Sequence, residues 1–244
     1  MRIMASTEIF KLNEVFKIYE RKIALSSFSL IIKKSEVVAL IGPSGAGKTT
    51  LLDILAQIIK TDRGEFFIDG KPADHYKDGK MYAQKVGIIR QQFDLVGPLP
   101  VIHNVLAGRF ADWGFFKSLL SLIDKLYERT SHLSGGELQR VALARLLVQK
   151  PEVILADEPV SSLDPARSED VISLLTQIVK EEGQTLVVSL HSVEYARKYF
   201  TRIIAMREGK VYFDLPAGEV TDEVLLELYN LEELRKHGKT PQLP

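Results

Sequence analysis

Residues 37–53, VVALIGPSGAGKTTLLD, combine an apolar run, three glycines, a lysine and two threonines. The central part, Gly42 to Thr49, matches the pattern G-x-x-x-x-G-K-[ST] in the expected strand–loop–helix context. Because glycine has no Cβ, the backbone at Gly42, Gly45 and Gly47 can curve tightly and direct its N–H groups at a polyphosphate. The pattern predicts a nucleoside triphosphate site, and the alternative is an ordinary glycine-rich turn.

Two side chains extend this phosphate chemistry. Lys48 adds a full positive charge beside the positive end of the following helix. Thr49 places a hydroxyl where a phosphate-bound Mg²⁺ needs an oxygen ligand. The predicted nucleotide-binding residues of this segment are Gly42, Pro43, Ser44, Gly45, Ala46, Gly47, Lys48, Thr49 and Thr50.

Two later apolar runs also end in reactive side chains. Residues 153–159, VILADEP, end in Asp157 and Glu158, and residues 185–191, TLVVSLH, end in His191. Ligands of open α/β sheets bind beyond the carboxyl ends of the strands, so these termini should converge with the glycine loop. There Asp157 suits a water-mediated contact to Mg²⁺, Glu158 can orient or deprotonate water, and His191 can contact a γ-phosphate. Taken alone, Asp157-Glu158 is equally typical of an acidic strand end that faces solvent, and His191 is more typical of a structural histidine at a strand end.

Gln91 ends another apolar run, residues 81–92. It is interpreted either as a surface amide or as an oxygen ligand to Mg²⁺ or to the attacking water. The other histidines lack metal-ligand spacing and are interpreted as surface or packing residues: His75, His103, His132 and His237.

The composition restricts the class of protein. With 244 residues, 45% hydrophobic and 26% charged, the chain resembles a soluble globular protein. Its 32 basic and 32 acidic side chains give zero net charge, which argues against nucleic acid as a partner. The absence of cysteine excludes disulfides and thiolate metal sites. No signal peptide and no run of roughly 20 apolar residues is found, so a membrane connection should run through a partner.

The periodicity of the chain predicts an α/β fold with a largely parallel central sheet. Alternating residues 8–35 predict a β-rich section, whereas residues 37–41 suit a strand buried on both faces. The other predicted strands lie over 81–92, 153–159 and 185–191, and hairpins are predicted over 64–72, turning at Asp69-Gly70, and over 202–215. The predicted helices lie over 48–60, from about 101, over 111–132, from the glycines at 135–136 to Lys150, from Asp164-Pro165 to Gly183, and over 221–236.

Residues 92–150 are predicted to form a helical subdomain inserted into this core. They contain Trp113, Phe115 and Phe116, which are interpreted as core packing, with a partner-docking surface as the alternative. Ser134 and Glu137 form an S-x-x-E capping box at a helix start. The whole is predicted as a single domain over 8–240, in which the nucleotide-binding α/β core spans 8–91 and 151–220 and the C-terminal helix spans 221–240.

LSGGE at 133–137, between the phosphate loop and VILADEP, resembles the signature of ATP-binding cassette (ABC) transporter ATPases. The resemblance covers nearly the whole chain in six ordered motifs and implies a P-loop NTPase core with an antiparallel β-subdomain. It implies that Tyr19 stacks on adenine, that Gln91 lies in the Q-loop and that Asp164 ends the D-loop.

The family also implies that two copies enclose two ATP molecules. Ser134, Gly135 and Gly136 of one copy would then contact the γ-phosphate held by the other copy's loop. The physics agrees, since a helix N-terminus with exposed N–H groups is an anion site.

Residues 90–109, 187–214 and 221–230 are similar to the phosphonate-import ATPases within this family. Two departures concern the partner more than the ATP chemistry. Arg90 stands where the family usually has Phe, and the helical subdomain between Gly108 and His132 is shorter by a few helical turns.

These observations predict an ATPase subunit of an ABC importer, peripheral to the cytoplasmic face of the membrane, that drives uptake of phosphonate or a related phosphorus oxyanion. ATP and Mg²⁺ are the predicted cofactors. The predicted partners are a second copy, integral membrane permease subunits and, indirectly, an extracytoplasmic substrate-binding protein. An exporter or lipoprotein-release ATPase shares every catalytic motif and stays open as an alternative, as does a non-transport ABC ATPase.

Overall fold

The computed structural model describes residues 7–20, 22–76, 79–90, 95, 97–106, 129–161 and 163–229. In chain order the strands are β1 (Glu8–Tyr19), β2 (Lys22–Lys33), β3 (Val37–Ile41), β4 (Arg63–Ile68), β5 (Lys71–Pro72), β6 (Val86–Ile89), β7 (Val153–Asp157), β8 (Thr185–Ser189), β9 (Arg202–Arg207) and β10 (Lys210–Pro216). The helices are α1 (Lys48–Leu55), α2 (Gly79–Lys85), α3 (Val101–Leu106), α4 (Gly135–Gln149), α5 (Pro165–Glu181), α6 (Val193–Tyr199) and α7 (Asp222–Leu228).

The strands form two sheets. Four antiparallel strands lie in the order β2-β1-β4-β5, and six strands lie in the order β10-β9-β3-β8-β7-β6. In the larger sheet only β10 runs antiparallel to its neighbour. The predicted α/β fold, with a mainly parallel sheet and an antiparallel β section, is therefore confirmed.

Hydrophobic cores cover both faces of the six-stranded sheet. Val38 and Leu40 of β3 join a core shared with α1 and the antiparallel sheet. Val37, Ala39 and Ile41 of the same strand enter a core built with α5, α6 and α7. Every residue of β3 is buried, as expected for a parallel strand covered on both faces. The strand is thus held rigidly where it feeds the glycine loop.

Several predicted elements have the expected form. The turns at Asp69-Gly70 and Glu208-Gly209 carry paired positive φ values of 52° and 74°, and of 51° and 73°, as in tight hairpins. At the start of α5, Asp164 Oδ1 accepts the backbone N–H of Arg167 at 3.1 Å, so the predicted N-cap is confirmed.

The predicted helix over 48–60 is too long, because α1 ends at Leu55. Gln57 adopts a left-handed φ of 56°, and its side-chain amide donates to the carbonyl of Ala73 at 2.8 Å. The chain must leave the helix here in order to bring β4 beside β1. Tertiary pairing, not local propensity, therefore decides where this helix ends.

The predicted strand over 81–92 is wrong in its first half. Residues 79–85 form α2, and only Val86–Ile89 form β6. Tyr82 is buried and its hydroxyl donates to the carbonyl of Leu55, whereas Met81 is exposed. The apolar residues at this point therefore do not form the continuous buried run from which a strand was predicted. The strands predicted over 153–159 and 185–191 end at Asp157 and Ser189, and α6 follows without having been predicted.

The predicted helical subdomain is described in part. Helix α4 begins at the glycines as predicted and ends at Gln149, one residue early. Val101 and Val105 of α3 pack against Val141 and Ala144 of α4. Residues 130–132 form a 3-10 turn rather than the end of a regular helix, and Trp113, Phe115 and Phe116 lie outside the described residues. Of the C-terminal helix predicted over 221–236, α7 covers Asp222–Leu228, and the part of the prediction beyond residue 229 lies outside the described residues.

Candidate nucleotide-binding and catalytic site

The three reactive strand ends predicted from the sequence lie at one edge of the large sheet. Strand β8 lies between β3 and β7, with Ser189 paired to Leu40 on one side and to Asp157 on the other. The glycine loop, the Asp157-Glu158 pair and His191 therefore follow neighbouring parallel strands. The structure confirms this convergence.

Two glycines of the loop are required by packing as well as by conformation. A Cβ on Gly42, whose φ is 140°, would lie 2.1 Å from the carbonyl oxygen of Met206 in β9. A Cβ on Gly47, whose φ is 103°, would lie 2.6 Å from the carbonyl oxygen of Ala24 in β2. Both sheets thus press against the loop backbone and fix its shape.

Lys48 is buried within this loop, with 6% of its surface exposed. Its Nζ donates to the carbonyls of Gly42 at 2.7 Å and Pro43 at 3.3 Å. Burial lowers the pKa of Lys48, while the nearby carboxylates of Glu158 and Asp157 oppose that shift. The loop therefore encloses a cation beside an acidic strand end.

The first turn of α1 presents further anion-binding groups. Its N-cap, Gly47, supplies no side-chain hydrogen bond, so the backbone N–H groups of this turn are not capped by a side chain. Thr49 in the same turn is exposed, and Thr50 is half-buried. The helix start and the Thr49 hydroxyl are thus accessible to a bound phosphate and its metal.

Glu158 and His191 form a direct contact across two neighbouring strands. Nε2 of His191 lies 2.6 Å from Oε1 of Glu158, with the histidine side chain 50% exposed and the glutamate side chain 19% exposed. Glu158 has a left-handed φ of 48°, which is unfavourable for a residue with a Cβ. A strained backbone here holds the carboxylate next to the imidazole.

Ser189 is a polar residue of this edge that the sequence analysis did not single out. It is fully buried at the end of β8. Its hydroxyl donates to Oδ1 of Asp157 at 2.6 Å and accepts the backbone N–H of Glu158 at 2.8 Å. The sequence contained a signal for it, since a serine in the apolar run TLVVSLH needs hydrogen-bond partners when the strand is buried on both faces.

The antiparallel sheet contributes an aromatic ring and a second cation. Tyr19, at the end of β1, is 42% exposed, and the ammonium of Lys17 lies 5.5 Å from its ring centroid. Lys22, paired with Tyr19 across the turn, reaches the glycine loop, where its Nζ lies 3.6 Å from the position of a Cβ on Gly45. Lys22 was not among the nucleotide-binding residues predicted from the sequence.

The LSGGE segment lies beside the D-loop of the same chain. The Ser134 hydroxyl and backbone N–H both donate to Oε2 of Glu137 at 2.9 Å, so the predicted capping box forms through its glutamate half. Gly135 begins α4, and the neighbours of Gly136 include Leu163 at 3.6 Å and Arg167 at 3.7 Å from a Cβ built on it.

Two further sequence-based assignments concern the start of the Q-loop. Gln91 lies outside the described residues, so its metal-binding and water-binding roles stay predictions. Arg90, at the end of β6, forms an ion pair with Asp53 of α1 at 3.2 Å. The residue that departs from the family pattern therefore links the Q-loop strand to the helix that follows the phosphate loop.

A buried parallel strand, a glycine loop in left-handed conformations, an enclosed lysine and an acidic strand end together define a P-loop nucleoside triphosphatase. The ABC transporter family model matches residues 25–161, more than half of the chain. The chain belongs to the ABC transporter ATPase family.

Curated relatives and solved structures extend this match. The phosphonates import ATP-binding protein PhnC 1 of Pseudomonas syringae pv. tomato is 42% identical over 232 aligned residues, covering 87% of this chain and 88% of that protein. PhnC 1 of Nostoc sp. is 40% identical over 263 aligned residues, covering 97% and 99%. The ATP-binding cassette MJ0796, solved as a dimer bound to ADP and Pi, superimposes with a TM-score of 0.73 at 33% identity, covering 85% of this chain and 98% of that one.

No helix among the described residues combines the length and the apolar character needed to cross a bilayer.

Proposed function

We propose that this chain is the ATP-hydrolysing subunit of an importer for phosphonate or a related phosphorus oxyanion. The observation that carries the proposal is the identity of about 40%, spread over most of both chains, to proteins named as phosphonates import ATP-binding proteins. The match to PhnC 1 of Nostoc sp., which covers 97% of this chain, includes the stretches 187–214 and 221–229, which lie beyond the segment matched by the family model.

ATP binds, in this proposal, at the glycine loop with its base toward the antiparallel sheet. The backbone of residues 42–47 and the first turn of α1 supply N–H groups, and the buried ammonium of Lys48 neutralises phosphate charge. Tyr19 offers an exposed aromatic face for stacking on adenine.

The residues at the sheet edge fit a magnesium ion. The exposed Thr49 hydroxyl and the half-buried Asp157 carboxylate supply oxygen ligands of the kind Mg²⁺ prefers, and Gln91 is the third proposed ligand. When bound, the ion would neutralise charge on the phosphates during transfer.

Glu158 is the proposed general base for hydrolysis. Its carboxylate accepts a proton from water while the water oxygen forms a bond to the γ-phosphorus. The bond between the γ-phosphorus and its oxygen bridge to the β-phosphate breaks, which yields ADP and inorganic phosphate. His191, 2.6 Å from Oε1 of Glu158, orients that carboxylate and contacts the γ-phosphate.

A complete site requires a second copy in this proposal. The helix start formed by Ser134, Gly135 and Gly136, together with Asp164, would face the γ-phosphate held by the other copy. The solved relative MJ0796 is described as a dimer, which supports this arrangement. Closure of the two copies on ATP would then gate hydrolysis and, through the permease at the cytoplasmic face of the membrane, drive import.

Reconstitution of the whole transporter tests this function. The chain is purified with its permease in liposomes, and the cognate extracytoplasmic binding protein is added with a phosphonate, phosphite or phosphate. We expect the binding protein to bind phosphonate or phosphite tightly. The loaded binding protein should then stimulate both ATP hydrolysis and uptake of the ligand into the liposomes. Substrate leaving the membrane or the lumen, with no dependence on a binding protein, would instead identify an exporter or lipoprotein-release system.

A further inference from the structure

We propose that Ser189 is a positioning residue for ATP hydrolysis. Its single hydroxyl fixes the orientation of the Asp157 carboxylate and the conformation of the Glu158 backbone. The inference rests on the proposed roles of Asp157 and Glu158. It assigns to Ser189 a role that none of the sequence motifs contains.

The hydroxyl of Ser189 is bonded on both its donor and its acceptor side. It donates its one proton to Oδ1 of Asp157 at 2.6 Å and accepts the backbone N–H of Glu158 at 2.8 Å. Ser189 has no exposed surface, so water cannot replace either bond without a change in packing. The register explains the geometry, because Ser189 is the residue of β8 paired with Asp157.

The bond to Asp157 orients a carboxylate that is only half-buried. An aspartate side chain without hydrogen bonds populates several rotamers. A short hydrogen bond to one carboxylate oxygen favours a single rotamer and so fixes the orientation of the second oxygen. Since metal affinity depends on preoriented ligands and on the groups that hold them, loss of this bond should weaken metal binding.

The bond to Glu158 acts on the backbone. Glu158 has a left-handed φ of 48°, a conformation that persists only where surrounding contacts stabilise it. The N–H bond to Ser189 is one such contact, and the carboxylate held by this backbone lies 2.6 Å from Nε2 of His191. One hydroxyl thus positions both the proposed metal ligand and the proposed general base.

The test compares Ser189→Ala with Thr185→Val, which removes a buried hydroxyl from the other end of the same strand. Thr185 accepts the backbone N–H of Ser35 at 2.9 Å, so its loss costs stability without touching the site. For Ser189→Ala we expect turnover to fall about tenfold and the Mg²⁺ concentration needed for half-maximal ATP binding to rise about tenfold. ATP affinity in EDTA should stay within about twofold of the wild-type value, since the loop is unchanged.

Ser189→Cys and Ser189→Thr distinguish the loss of the hydroxyl from a change in packing. Cysteine fills the space but is a weak donor, so its variant should resemble Ser189→Ala, whereas threonine keeps the hydroxyl and should restore Mg²⁺ dependence toward the wild-type value. A Ser189→Ala or Ser189→Cys variant with wild-type turnover and Mg²⁺ dependence would overturn the inference, as would an equal effect of Thr185→Val. If the wild-type protein itself did not hydrolyse ATP, the proposed function would be refuted instead.

Discussion

Glu158 and His191 contact one another at the ends of neighbouring strands, with Oε1 and Nε2 separated by 2.6 Å. Because β7 and β8 are parallel and adjacent, their carboxyl ends deliver both side chains to the edge that holds the glycine loop. The contact brings a carboxylate and an imidazole together beside the buried ammonium of Lys48, whose pKa both Glu158 and Asp157 influence.

Replacement of the proposed general base gives the first prediction. Glu158→Gln keeps the side-chain size and removes the proton acceptor, so turnover should fall by about 10²- to 10⁴-fold. ATP affinity should change by less than about threefold, because the loop is untouched. Phosphate release and nucleotide titration measure the two quantities. The matched control is Glu152→Gln, at the residue just before the N-terminal end of β7, which should keep wild-type turnover. Wild-type turnover in Glu158→Gln would show that Glu158 is not the general base.

Replacement of the imidazole gives the second prediction. His191→Ala removes the partner of Glu158 and should lower turnover by about 10- to 100-fold with a smaller effect on ATP binding. His103→Ala, at an exposed position of α3, should leave both quantities unchanged. Equal turnover in the two variants would show that the contact with Glu158 has no part in hydrolysis.

Lys48 gives a prediction in which binding and stability change in opposite directions. Burial lowers its pKa, which means that the folded, nucleotide-free protein disfavours its charge relative to water. Lys48→Met should therefore melt at the same temperature as the wild type or a few degrees higher without ATP, and should lose most of the stabilisation that ATP gives to the wild type. Thermal unfolding with and without nucleotide measures both effects.

The same variant has a defined pH dependence. Because the pKa of Lys48 is lower in the folded than in the unfolded state, the unfolded wild-type protein binds more protons between the lowered value and 10.5. The free energy of unfolding of the wild type should thus rise relative to Lys48→Met as pH increases through this window. The advantage of the variant is complete below the window and disappears above it; a constant difference across alkaline pH would contradict the burial of the ammonium.

Lys22 is expected to contribute a second positive charge to phosphate binding. Its ammonium lies beside Gly45 at the top of the loop and forms no ion pair with any residue that the structure describes. Lys22→Met should weaken ATP and ADP binding about three- to tenfold at low salt, with a smaller effect at high salt because the charge is exposed. Lys11→Met removes a charge from β1 of the same sheet, near the end of the strand opposite to Tyr19, the residue paired with Lys22, and should have no effect. Equal affinities of both variants would exclude Lys22 from the site.

The glycine loop and the reactive strand ends were predictable because their signals are local. An unbroken apolar run followed by glycines, or by Asp157-Glu158, indicates a buried parallel strand and the group it presents. The end of α1 was not predictable, since Gln57 turns away from the helix to satisfy a pairing between β4 and β1 that lies elsewhere in the sequence. Likewise, the roles of Ser189 and Lys22 depend on strand register and on the approach of β2 to the loop, which no local pattern contains.

Sedimentation velocity of the Glu158→Gln variant tests most directly whether two copies of this chain complete the ATP sites. With hydrolysis blocked, ATP should convert the monomer into a dimer, because the N-terminus of α4 in each copy then binds the phosphates held by the other. The dimer should not form without nucleotide, and Ser134→Arg, which places a bulky side chain at that helix start, should prevent it. A Glu158→Gln protein that binds ATP and stays monomeric at every concentration would contradict the account.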